Sequence, residues 1–118
     1  MKKVDEAFYK WENENFSHLN YEISIEDATE IVLNFCKEYN TTIELSFRKK
    51  KAAHGTYYEP SLTPSGINPA RIILSKPPNF LTTLHECAHH LTFLDYGSSN
   101  GHNNKFIITM IKIAEEYK

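Results

Sequence analysis

His85, Glu86 and His89 stand in the order H-E-x-x-H inside "LTTLHECAHHLTF", residues 81–93. On an α-helix, positions four apart lie about 40° apart around the axis and about 6 Å apart along it. Two imidazoles so placed can ligate one tetrahedral metal, each nitrogen about 2.0–2.1 Å from the ion. Glu86 is offset from the axis joining them, so its carboxylate reaches a water on the metal rather than the metal itself. There it can take the water's proton and later give it to a leaving amine. The chemistry suggested is metal-assisted hydrolysis.

A catalytic zinc usually has three protein ligands plus water. The downstream "GHNNKF" offers His102, thirteen residues after His89, at the mouth of the next helix. Phe106 lies four residues further on the same helical face and would anchor that helix start. Glu115 and Glu116, in the last helix, are the alternatives, at a distance resembling the glutamate-ligand zincins. Asp95 lies ten residues after His85, too far along the axis to share its metal. His102 is the preferred third ligand. His90 points about 140° away from His85 and cannot share that metal; it reads as a surface or supporting residue. His18 and His54 read as solvated loop residues.

Elements must exist to position these groups. Residues 3–16 predict a short helix with Val4, Phe8 and Trp11 on one side. Ser24 caps a second helix over about 25–39, with Asp27 three residues on and Asn40 as its stop. "TTIELSFRK" alternates, Ile43, Leu45 and Phe47 against Thr42, Glu44, Ser46 and Arg48, and so predicts a half-buried strand. "GTYYEP" could return from it as a hairpin, "SLTPSGINP" reads as loop, and "ARIILSK" as a third strand. Asn79 caps the motif helix, which ends at Gly97. Its apolar stripe is Leu84, Cys87, Ala88, Leu91 and Leu94. "KFIITMIKIAEEYK" closes as a helix with Phe106, Ile107, Met110, Ile111, Ala114 and Tyr117 inward. The order α-α-β-β-β-α-α predicts an α+β fold with a small three-stranded sheet.

"TLHECAHHLTF…GHNNKF" resembles the SprT-like metallopeptidases and related small metallohydrolases, over roughly residues 41–110. The resemblance implies a minimal zincin-like domain over 1–118. It also implies Zn2+ on His85, His89 and His102, and Glu86 as general base. Asn103 departs from the glycine usual after the third histidine, and two cysteines are too few for a C-terminal zinc ribbon. A second group, the ImmA/IrrE-like regulatory proteases, also pairs a short sheet with H-E-x-x-H but resembles the chain less downstream.

Composition narrows the classes. With 118 residues, 41% hydrophobic and 24% charged, the chain fits one soluble globular domain. No apolar run is long enough to span a bilayer, and the first residues lack a signal-peptide core. Cys36 and Cys87 fit no zinc knuckle and read as buried free thiols in a reducing cytoplasm. Residues 1–40 carry four Lys and nine Asp/Glu, net −5; residues 41–118 carry nine Lys/Arg and six Asp/Glu, net +3. "RKKK", residues 48–51, is a candidate DNA contact or a solvated turn. Tyr57, Tyr58 and Tyr96 are candidates to stabilise an oxyanion or to pack. Arg71 to Leu74 is a candidate substrate-pairing edge strand.

The expectation is thus a cytoplasmic zinc metallopeptidase acting on a protein or peptide, with no membrane partner. Two other readings stand beside it: an inactive, metal-stabilised adaptor, and a hydrolase of non-peptide amides.

Overall fold

Local stops decide where the chain leaves each helix. The Ser24 side chain accepts the Asp27 N–H (3.0 Å) and opens the helix α2, Ile25–Glu38. Beyond it Asn40 adopts the left-handed region (φ 51), and the Thr41 N–H turns back to the Cys36 carbonyl at 2.9 Å. Asn79 caps α3, Phe80–Tyr96, by accepting the Thr82 N–H at 3.1 Å. Gly97 ends that helix with φ 80, a conformation that costs glycine nothing.

The computed structural model describes residues 3–49, 55–97 and 102–117. Lys50, Lys51 and His54 lie outside the described residues, as does the side chain of Val4. Among the described residues the fold is α+β: four α-helices and a three-stranded sheet. The first helix is α1, Lys3–Phe16, followed by a short 3-10 turn, Ser17–Leu19, and the last is α4, Asn104–Glu115. No helix among these residues is long and apolar enough to cross a membrane.

The strands are β1 (Ile43–Lys49), β2 (Gly55–Tyr58), β3 (Ser61–Thr63), β4 (Gly66–Asn68) and β5 (Ala70–Lys76). The main sheet runs β1-β5-β2. Parallel β1 pairs with β5 from Ile43 opposite Ala70 to Lys49 opposite Lys76, and β2 pairs antiparallel with Gly55 opposite Leu74. Two expectations are corrected here. The strand after the basic turn does not fold back on β1, and Arg71 to Leu74 is no edge but the centre of the sheet. The cause lies in β5 itself: Ala70, Ile72 and Leu74 are buried on one face, and on the other Ser75 is buried and Ile73 half-buried while Arg71 stays exposed. A strand covered over most of both faces belongs in the middle. β2, less apolar, takes the edge.

The stretch expected as loop carries a small hairpin, β3 on β4, with Leu62 opposite Ile67. Each strand is three residues long, too short to show an alternation. Its one apolar pair faces solvent, Leu62 at 82% exposure and Ile67 at 75%.

Around α3 the core closes. Val32 and Phe35 come from α2, Ile72 and Leu74 from β5, and Phe106, Met110 and Ile113 from α4. They meet Leu84, Cys87, Ala88 and Leu91 of α3. The ends of the expected stripes are corrected: Leu94 and Ile111 are exposed, and Ile113 is buried in place of Ile111. Cys87 is buried, Cys36 half-buried, and both are free thiols.

His90 is not on the surface. It is 1% exposed, and hydroxyls bracket its ring: Thr41 Oγ1 lies 2.7 Å from Nε2 and Tyr57 Oη 2.6 Å from Nδ1. A neutral imidazole donates from one nitrogen and accepts at the other, so it can satisfy both. Burial holds the ring in that neutral form, its pKa pushed down to about 4. The residue ties the entry to β1 and the middle of β2 to α3. His90→Ala should leave two hydroxyls without their partner and open a void, costing about 3 kcal/mol. Urea unfolding checks this; a loss below about 1 kcal/mol would show that water replaces the ring.

Candidate metal centre

α3 presents His85 and His89 one turn apart, and the start of α4 brings His102 to them. One ligand-capable atom of each lies within 4.8 Å of the others, and this is the group among the described residues able to hold a metal ion. His85 Nε2 and His102 Nε2 are 3.2 Å apart. Two nitrogens bound to one ion at tetrahedral angles and zinc distances lie about 3.3 Å apart. The spacing of this pair fits a shared ion.

The third histidine is placed by its neighbours in sequence. Asn103 is the N-cap of α4, its side chain accepting the Phe106 N–H at 3.1 Å. The departure from glycine at this position therefore has a local function: a polar cap holds the helix start more firmly than glycine. Phe106, fully buried, lies under all three imidazoles, with ring centroids 4.3 Å from His89, 5.0 Å from His85 and 5.1 Å from His102. The alternative ligands are elsewhere. Asp95 and Glu115 are exposed and outside the histidine group, and Glu116 lies with Glu38, where burial and that neighbour's charge raise its pKa.

A residue that sequence reasoning missed completes the arrangement. Glu12 of α1 is buried, and its Oε2 accepts from His85 Nδ1 at 2.8 Å. That contact fixes the proton on Nδ1 and leaves the Nε2 lone pair facing His102 and the shared position. Burial opposes a charged His85, but the hydrogen bond to Glu12 and the charges of Glu86 and Glu12 outweigh it and raise its pKa. Phe8, one turn earlier on α1, stacks on His102 with centroids 4.3 Å apart and planes 9° apart. The only local signal for Glu12 was an acid at i+4 from the apolar Phe8, a pattern shared by many surface helices.

Glu86 is buried against β2. A Cβ built on Gly55 would stand 3.1 Å from Glu86 Oε2 and 2.9 Å from Thr82 Cγ2, so only glycine lets the strand lie this close. Burial pushes the Glu86 carboxyl up to about 7, the His85 charge pulling it down and Glu12 adding to the rise. A carboxyl near neutrality is matched to accepting and returning a proton.

The groups open on one cleft, lined by Tyr9 of α1, by Gly55 to Glu59, and by His85, Glu86, His89 and His102. Of the expected oxyanion candidates, Tyr57 has its hydroxyl on His90 and its ring stacked beside His89. Tyr58 carries the Arg71 guanidinium 4.6 Å over its ring, and Tyr96 lies outside the cleft with Lys105 over it. In the basic run, Arg48 donates to Thr56 (3.3 Å) and Lys49 is exposed. His18 is exposed, as expected.

No protein-family model matches the chain, and no curated protein or solved structure matches it significantly. Assignment therefore rests on the site. Glu12→Ala should weaken zinc binding about 10- to 100-fold while His89 and His102 remain in place. Competition against a chromogenic chelator measures it; unchanged affinity would mean that Glu12 orients nothing.

Proposed function

We propose that the chain is a zinc-dependent metallopeptidase with a minimal zincin-like architecture, related in its site to the SprT-like enzymes. The observation that carries this reading is the meeting of three imidazoles with Glu86 in one open cleft beside an edge strand. A structural zinc is normally closed by four protein ligands. Three histidines facing a cleft, with a carboxylate at their side, are the donor set of a catalytic one.

Bound by His85, His89 and His102, zinc supplies Lewis acidity, which acidifies water toward a pKa of about 7 and polarises a carbonyl. The residues divide the remaining work. Glu12 holds His85 in the tautomer that donates its Nε2 lone pair. Phe8 and Phe106 exclude water from behind the ligands, which strengthens electrostatic interactions within. Glu86 accepts a proton from the attacking water and delivers it to the departing amine nitrogen.

Substrate presentation belongs to β2. Among the described residues no strand pairs with its outer edge, and Gly55 to Tyr58 run along the cleft. An extended peptide added to that edge gains main-chain hydrogen bonds and passes in front of the histidines. The substrate class this supports is unfolded or extended polypeptide. The two free thiols support a reducing, cytoplasmic setting.

Elemental analysis should give one zinc per chain, reduced in His102→Ala. Glu86→Gln should keep the metal and lose about 100- to 10,000-fold in the cutting of an unfolded protein. Full zinc retention in His102→Ala would remove the ligand assignment, and an undiminished rate in Glu86→Gln would remove the base.

A further inference from the structure

The cleft contains three tyrosines, and their surroundings separate them. Tyr57 has its hydroxyl bonded to His90 Nδ1 at 2.6 Å, outside the triplet of His85, His89 and His102. Tyr58 closes the far end of β2 opposite Arg71, whose guanidinium covers its ring. Tyr9 stands against the ligands themselves. Its ring centroid is 5.4 Å from that of His102, edge-on, and 6.2 Å from that of His85, with planes 13° apart. The residue is 42% exposed and forms part of the cleft lining.

Tyr9 is also held in place. It lies three residues before Glu12, on the same side of α1. Phe8 beside it stacks on His102, and Glu12 is bonded to His85. A side chain between two such anchors on a helix is positioned more firmly than one on a loop. Tyr9 enters the cleft from α1, whereas Glu86 lies against Gly55 of β2.

We propose that Tyr9 is a catalytic residue of this site, donating a hydrogen bond from its phenol to the oxyanion formed during peptide hydrolysis; this rests on the metallopeptidase reading above. When the water oxygen bonds to the carbonyl carbon, the π pair moves to the carbonyl oxygen and the water's proton goes to Glu86. The Tyr9 O–H donates to that oxygen and keeps its proton throughout. The oxyanion then re-forms the carbonyl, the C–N bond breaks, and the nitrogen takes the proton back from Glu86. The base and the electrophile thus come from different elements, α3 and α1. A donor aimed at the oxyanion is used in the transition state more than in the ground state, so its loss falls on kcat rather than KM.

The test is Tyr9→Phe in the full, zinc-loaded chain, with Tyr96→Phe, outside the cleft, as the matched control. On a peptide that the wild type cuts, kcat should fall about 100- to 1000-fold. KM, zinc content and melting temperature should stay near wild type. Affinity for a phosphonate peptide, a tetrahedral mimic, should fall in parallel with kcat, while affinity for the matching carboxylate product does not. A kcat within threefold of wild type would overturn the role of Tyr9 and leave the metallopeptidase reading intact. Loss of zinc or of melting temperature in place of kcat would make Tyr9 a packing residue. A zinc-loaded wild type that cuts no peptide would remove both readings together.

Discussion

A buried imidazole or carboxylate costs several kcal/mol unless its polar atoms find partners, and α3 buries His85, Glu86 and His90 within six residues. A helix of this composition cannot be a plain core helix. Each neighbouring element supplies something to its polar side. α1 brings Glu12 to His85, β2 brings Tyr57 and the entry to β1 brings Thr41 to His90, and the start of α4 brings His102. No fully buried side-chain nitrogen or oxygen among the described residues is left without a partner. The packing around α3 is therefore specified by hydrogen bonds as well as by apolar area, and displacement of any one element exposes a polar debt on the helix.

The two adjacent histidines, His89 and His90, show how one helix serves two purposes. About 100° of rotation separates them. One faces the cleft with His85 and His102; its neighbour faces the sheet and is held neutral between two hydroxyls. The second contact fixes the rotation of α3 about its own axis, and that rotation sets where the first imidazole points.

Much of this was legible in the sequence where the cause was local. The caps at Ser24 and Asn79 and the stop at Gly97 depend on a few consecutive residues, and the structure has them where spacing put them. The meeting of His85, His89 and His102 was legible because helix geometry fixes two of its members and a short motif marks the third. What spacing could not give was set by distant pairing. Glu12 meets His85 across 73 residues of chain. The central place of β5 depends on which faces α2 and α3 cover, and the match of Gly55 to Glu86 on a contact between a strand and a helix. Asn103 looked like a departure from a pattern and is a helix cap, because a single sequence does not show which backbone N–H a side chain will meet.

The cap at Asn103 has a consequence for how the chain closes on itself. His89 and His102 lie thirteen positions apart in the chain, one within α3 and the other just before α4. An ion shared between them would be a cross-link that closes the intervening segment. It would remove from the unfolded chain the freedom that loop closure would otherwise cost on folding. Metal affinity and the docking of α4 would then be one free energy: whatever loosened the start of α4 would loosen the ion, and an ion bound there would hold α4 on the core as a disulfide would.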